Sequence, residues 1–273
     1  MNIDHNIQFD NDGKLVHFLN IENLTEKHIF EILDLADTIK PKSLDGKTVA
    51  SLFFEPSTRT KTTFELASKR LGADFINIDI ANSSTSKGES ILDMIKTLEA
   101  MQCNMFIVRH STSGIPHYIA KEVGDKISVI NAGDGTNAHP TQAMLDMYTI
   151  KKYKGSFNNL NIAIVGDILH SRVAKSLIAS LNILKAKKIN VIGPEILMPK
   201  NINELHVEYF NDLEKGIHGT DVIIMLRLQK ERMHEALIST DDYYKKFGLT
   251  KNIIQNAKKD VIVMHPGPMN RGI

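Results

Sequence analysis

The sequence predicts an α/β protein of two tandem three-layer domains, each a mainly parallel sheet flanked by helices. Two observations predict this. Short apolar runs alternate with amphipathic stretches along the chain, the pattern of strands covered by helices on both faces. The runs also fall into two series, separated by a helical stretch over about 139–153 that closes at Gly155. The chain has 273 residues, enough for two ordinary α/β domains, and the boundary is placed so that residues 1–145 form one and 146–273 the other. Tandem sheets of this kind gather strand C-terminal ends around an interdomain cleft, where ligands bind.

The elements follow in order. Residues 1–14 are polar and aperiodic and read as a mobile arm. Thr25 caps a first helix, with Ile29, Ile32, Leu33, Ala36 and Ile39 on one face and Pro41 beyond it. Strands of the first series are expected at 47–54, 74–79, 105–109 and 127–131. After the first of them, Phe64, Ala67, Ser68 and Leu71 recur at helical spacing, and Gly72 stops the helix. Strands of the second series are expected at 161–166, 189–193, 207–210, 221–226 and 260–264.

Apolar content of 42% and charged content of 24% are those of a water-soluble globular protein. The formal net charge of +1 supplies no global basic field and argues against nucleic acid as partner. Cys103 lies in an apolar stretch and reads as a buried, inert thiol. No Cys/His spacing suits a metal, and no run of about 18 apolar residues suits a membrane, so a cytoplasmic protein is expected. No Gly-x-Gly-x-x-Gly or Walker A pattern appears, which disfavours dinucleotide or ATP binding.

The chemistry concentrates where strands end. Glu55-Pro56-Ser57-Thr58-Arg59-Thr60 joins an apolar run to a helix. Unpaired N–H groups at a helix start, hydroxyls and a guanidinium together make an anion site. Arg109, His110 and Ser111 follow the third strand. Asn137-Ala138-His139-Pro140-Thr141-Gln142 starts a helix with Pro140 at its first position, and a helix N-terminus favours a neutral His139 that donates to a carbonyl oxygen. Arg172 and Arg227 follow strands 161–166 and 221–226. The pair could grip the two carboxylates of a dicarboxylate, although each by position alone reads as a solvated arginine. Residues 82–90 are small and polar, a plain linker or a lid carrying Lys87 to an anion. His265-Pro266-Gly267-Pro268 stiffens the turn after the last strand.

Taken together, these segments resemble the aspartate carbamoyltransferase family. The matching pieces are Phe-Glu-Pro-Ser-Thr-Arg-Thr, Ser-x-x-x-Lys-Gly-Glu, Val-Arg-His, His-Pro-Thr-Gln, His-Ser-Arg-Val, Arg-x-Gln-Lys-Glu-Arg and His-Pro-Gly-Pro-x-Asn-Arg-Gly, in the family's order from residue 53 onward. The resemblance implies transfer of the carbamoyl group of carbamoyl phosphate to L-aspartate in pyrimidine synthesis, with no cofactor and no metal. It implies that Ser57, Thr58, Arg59 and Thr60 cradle the phosphate, and that Thr60, Arg109 and His139 meet the carbamoyl oxygen. Gln142 and the backbone at Pro266, Gly267 and Pro268 would hold the carbamoyl amide. Lys87, Arg172, Arg227 and Gln229 would bind aspartate, with Ser83 and Lys87 entering the site of a neighbouring subunit in a homotrimer. Regulatory chains could join such a trimer. The family continues past the Arg-Gly that precedes Ile273 into a final helix, which this sequence does not include, and Leu226 stands where many relatives have Thr. Ornithine carbamoyltransferase is the nearest rival; it carries a His-Cys-Leu-Pro loop where this chain has His-Pro-Gly-Pro. A non-catalytic, anion-binding subunit is the alternative of a different class.

Overall fold

Thr25 opens the first helix by satisfying its N-terminal amides, as its position predicts. Its hydroxyl accepts from the His28 N–H at 3.2 Å, and His28 Nδ1 accepts from the Thr25 N–H at 3.1 Å. An imidazole therefore takes the place a Glu usually holds in a capping box. The helix, α1 (Glu26–Thr38), buries Ile29 and Leu33. A computed structural model describes residues 5–80, 88–229 and 239–269. The chain divides into two compact units, Met1–Thr141 and Gln142–Ile273.

In the first unit, β1 (Thr48–Phe53), α2 (Thr58–Arg70), β2 (Asp74–Ile78), α3 (Ile91–Ala100), β3 (Met105–His110), α4 (Ile115–Val123) and β4 (Ser128–Asp134) follow α1. The strands pair in the order β2-β1-β3-β4, all parallel. Successive side chains of a strand face opposite sides, so each strand feeds two cores. Leu52, Phe106, Val108 and Val129 pack with Ile95 of α3 and Ile119 of α4. Val49, Phe53, Ile107 and Ala132 form the other layer, against which Phe64 of α2 packs.

The second unit repeats the plan. After α5 (Pro140–Lys154), in which the chain passes from one unit to the other, come β5 (Asn161–Val165), α6 (Arg172–Ile183), β6 (Lys188–Ile192), β7 (Glu208–Phe210), α7 (Leu213–Gly216), β8 (Val222–Met225), α8 (Thr240–Phe247) and β9 (Ile262–Met264). The order is β7-β6-β5-β8-β9, again parallel throughout. Ala163, Val165 and Ile223 pack with Leu213, Tyr243 and Phe247. Every strand expected from the apolar runs is present, shifted by no more than a few residues at its ends. Cys103 is buried, and burial pushes its thiol pKa up, as an inert position requires. Among the described residues no helix is long and apolar enough to cross a membrane.

The N-terminal segment departs from expectation. Residues 7–10, read as part of a mobile arm, are at least half-buried in the first unit, and one side chain explains why. Gln8 is fully buried. Its Oε1 accepts from the N–H groups of Leu19 and Asn20 at 2.7 and 2.9 Å, and its Nε2 donates to Asn20 Oδ1 at 2.9 Å. Its carbonyl also accepts from Val16 N–H at 2.8 Å. A polar residue that satisfies buried backbone groups looks like surface in a hydropathy profile.

Replacing Gln8 by Ala should leave two buried amides without an acceptor, at a cost of roughly 2–4 kcal/mol. The expected signature is lost hydrogen-exchange protection at Leu19 and Asn20. Unchanged protection there would show that the segment is held by other contacts.

Candidate active site

Parallel pairing sets the ends of β1, β3 and β4 side by side: Phe53 pairs with Arg109, and His110 with Asp134. The segments that leave those ends carry the predicted residues of the first unit. Ser57 stands at the N-cap of α2 in an extended conformation, yet its hydroxyl makes no capping hydrogen bond. Ser90, Ser171 and Ser239, at the starts of α3, α6 and α8, all do. The Ser57 hydroxyl and the first-turn amides of α2 are thus left for a ligand, and an anion suits a helix start of this kind. Thr58 and Arg59 are exposed there, and Ser57 and Thr60 are half-buried.

Arg109 is already oriented. Its Nε lies 2.7 Å from Glu55 Oε1, and its Nη1 donates to the Ala132 carbonyl at 3.0 Å. Glu55 was not singled out from the sequence; its only signal is that it directly precedes Pro56 and the anion turn. Asp134 does similar work one strand over. Fully buried, it accepts from the Gly114 N–H at 2.7 Å and from Asn137 Nδ2 at 3.0 Å. Its backbone bridges to Ala138. The turn so closed delivers His139, which is 7% exposed, to the start of α5 with Nδ1 3.4 Å from Thr141 Oγ1. His110 has a local task instead: its Nδ1 accepts from the Thr112 N–H at 2.8 Å, and burial lowers its pKa.

In the second unit the site begins at a close backbone approach. Leu226 N–H donates to the Val165 carbonyl at 2.7 Å, and a Cβ on Gly166 would stand 2.5 Å from the Leu226 carbonyl oxygen. Gly166 also holds φ at +134°, so only glycine fits. The next residue, Asp167, is fully buried. Its carboxylate lies 2.9 and 3.1 Å from His170 Nδ1, accepts the His170 N–H at 3.1 Å, and accepts the Gln229 N–H at 3.2 Å. One acid therefore ties the turn that leads into Arg172 to the segment that carries Arg227 and Gln229. Arg172 is the first residue of α6 and is buried; Arg227 is half-buried, its Nη1 donating to the Leu228 carbonyl at 3.3 Å. The sequence offered Asp167 only as the residue after the strand.

Gln142 lies in the first turn of α5 and donates through Nε2 to Asp146 Oδ1 at 3.0 Å. Gly267 is half-buried with φ at +66°, its N–H held by His265 Nδ1 at 2.8 Å, and the peptide to Pro268 is cis. Ser83 and Lys87 lie outside the described residues. Among the described residues no group of His, Cys, Asp and Glu could hold a metal ion.

Two family profiles match the chain in tandem: the carbamoyl-P binding domain of aspartate/ornithine carbamoyltransferases over residues 16–152, and their Asp/Orn binding domain over residues 158–273. The chain belongs to the aspartate/ornithine carbamoyltransferase family. Solved relatives agree. An aspartate transcarbamoylase from Trypanosoma cruzi, in complex with carbamoyl aspartate and phosphate, is similar with a TM-score of 0.82 at 29% identity, over 93% of this chain and 85% of that one. The same enzyme with carbamoyl phosphate and aspartate gives 0.79 at 29% identity, over 93% and 86%. The catalytic subunit of M. jannaschii aspartate transcarbamoylase gives 0.79 at 32% identity, over 93% and 87%.

Within this family site, Asp146 carries a stability cost that depends on pH. It is 4% exposed, and burial raises its pKa to about 7, with the Gln142 hydrogen bond opposing weakly. The folded chain thus keeps a proton that the unfolded chain gives up near the ordinary carboxylate pKa. Stability contributed by this group falls as pH rises from about 4 to 7, by roughly 4 kcal/mol if fully expressed. Asp146→Asn removes the ionisation and should raise the melting temperature more at pH 8 than at pH 4.5. An equal effect at both pH values would place the carboxyl outside this linkage.

Proposed function

We propose that the protein is an aspartate carbamoyltransferase, transferring the carbamoyl group of carbamoyl phosphate to L-aspartate to give N-carbamoyl-L-aspartate and phosphate in pyrimidine synthesis. The observation that carries the choice of acceptor is the pairing of Arg172 and Arg227 on segments that Asp167 ties together. A dicarboxylate needs two cations, and guanidinium groups bind carboxylates bidentately. Ornithine would bring a side-chain ammonium toward Arg227, which repels it.

In this reading the start of α2 takes the phosphate. Ser57, Thr58 and Thr60 supply hydroxyls and amides, and Arg59 the compensating charge. Thr60, Arg109 and His139 donate to the carbamoyl oxygen, and Gln142 and the backbone at Gly267 and Pro268 hold the carbamoyl amide. The neutral amine of aspartate, held by Arg172, Arg227 and Gln229, attacks the carbamoyl carbon. A C–N bond forms, and negative charge grows on the carbonyl oxygen, where preoriented donors stabilise it most. The C–O bond to phosphate then breaks, and the leaving phosphate takes the proton released by the amine. No protein base is needed, which agrees with Glu55 and Asp167 being engaged with Arg109 and with backbone and His170. By family resemblance, Ser83 and Lys87 complete the site of a neighbouring copy in a homotrimer, which regulatory chains could join. The small, charged substrates fit a cytoplasmic enzyme.

Carbamoyl transfer measured with aspartate and ornithine as parallel acceptors tests the reading; product is expected with aspartate alone, and turnover of ornithine would overturn the acceptor assignment. Arg59→Ala should lower kcat/KM by about 10²–10³-fold, the usual effect of removing one charge-stabilising donor, with an unchanged melting temperature. Near-normal turnover would remove Arg59 from the phosphate site. Arg227→Ala should act mainly through the KM for aspartate, and an unaltered KM would count against its role.

A further inference from the structure

Asp146 does almost nothing for the structure that surrounds it. Its Oδ2 is buried and has no hydrogen-bond partner among the described residues. Its neighbours along α5 are the buried Ala143, Met147 and Ile150. Its one polar link is the hydrogen bond from Gln142 Nε2 at 3.0 Å, one helical turn away. A Gln–Asp pair at this spacing stabilises a helix by only a few tenths of what a buried carboxyl costs it. The acid therefore serves Gln142 more than it serves the helix.

The service is one of orientation. A glutamine amide has donors at one end and an acceptor at the other, and it can flip. Above a pH of about 7 Asp146 is a carboxylate, which only accepts. With Asp146 beneath it, Gln142 must turn its NH2 inward, because the flipped amide would set oxygen against oxygen. Gln142 Oε1 is then left to accept, and among the described residues it accepts from nothing.

We propose that Asp146 is a positioning residue that holds Gln142 with its amide oxygen toward the ligand, and so makes the site select an acyl phosphate bearing an NH2 group over one bearing a methyl. The inference rests on the assignment of Gln142 to the carbamoyl amide. Carbamoyl phosphate and acetyl phosphate have nearly the same shape and charge. They differ in that the first offers N–H donors where the second offers a methyl group. A fixed acceptor separates them, because an acceptor left facing a methyl loses its hydrogen bond. A free amide can swing and separates them poorly.

The experiment compares, at pH 8.5, where Asp146 is ionised, the KM for carbamoyl phosphate with the Ki of acetyl phosphate as a competitive inhibitor, in wild type, Asp146→Leu, Asp146→Asn and Gln142→Ala. In Asp146→Leu the ratio Ki/KM should fall about tenfold, through a rise in KM, while Ki for acetyl phosphate stays within about twofold. Asp146→Asn can accept from Gln142 through its carbonyl or donate to it through its NH2, so it should lose part of the ratio. Gln142→Ala should lose the ratio, and adding Asp146→Leu to it should lose no more. Should Asp146→Leu fail to fold, Asp146→Ala makes the same comparison. A wild-type ratio in the folded Asp146 variants, or an equal loss for both ligands, would overturn the inference while leaving the reaction in place. A wild-type protein that transfers no carbamoyl group would overturn the functional reading, and the inference with it.

Discussion

Parallel strand pairing is the constraint on which the rest depends. In both sheets every described strand runs in the same direction as its neighbour, so every C-terminal end falls on one edge. Residues far apart in sequence are thereby made adjacent at no cost in loop length. Phe53 meets Arg109 and His110 meets Asp134 in the first unit, and Val165 meets Met225 in the second. The segments that continue from those residues hold the anion turn, His139, Arg172 and Arg227. Helices that start at this edge add their N-terminal amides, which favour anions there although the chain's net charge is only +1.

Acidic residues then fix the basic ones. Glu55 holds Arg109, and Asp134 closes the turn before His139. Asp167 joins the two arginine-bearing segments, and Asp146 holds Gln142. Each lies within a few residues of a strand end or a helix start, and each spends its carboxylate on orientation. A long arginine loses much conformational entropy when it binds a ligand, and a partner that limits its rotamers beforehand reduces that loss. The local acids thus account for a transferase site built from cations and amides with no carboxylate assigned to the chemistry.

The architecture was legible in the sequence because buried parallel strands are continuous apolar runs, and those of 47–54 or 161–166 admit few other readings. The cap at Thr25, the start of α5 at Pro140 and the burial of Cys103 were legible for similarly local reasons. The segment around Gln8 was not. What holds it is a set of hydrogen bonds to residues 11 and 12 positions away, and no hydropathy pattern encodes them. Glu55, Asp146 and Asp167 escaped for the same reason. In sequence each is an ordinary acid, and only burial and a partner make it specific. Arg172 shows the converse, since position alone favoured solvent and the fold buries it.

Three departures from local rules fall at the site. Helix-start serines cap at Ser90, Ser171 and Ser239, but Ser57 does not. The backbone at Gly166 comes so close to residue 226 that a Cβ there would stand 2.5 Å from the Leu226 carbonyl oxygen. A buried carboxyl ordinarily has both oxygens satisfied, but Asp146 does not. Each departure costs stability and gains none in return. A fold assembled only for stability would cap with Ser57, keep the strand ends apart and place an apolar residue at 146. Close approaches and unsatisfied buried atoms also occur elsewhere, at Gly248 and Asn190 among others, so what bears on function is the chemistry at these three places: an anion turn, two arginine-bearing segments and Gln142. Free hydroxyl and amide donors, paired guanidinium groups and an oriented amide are the groups an anionic substrate would use.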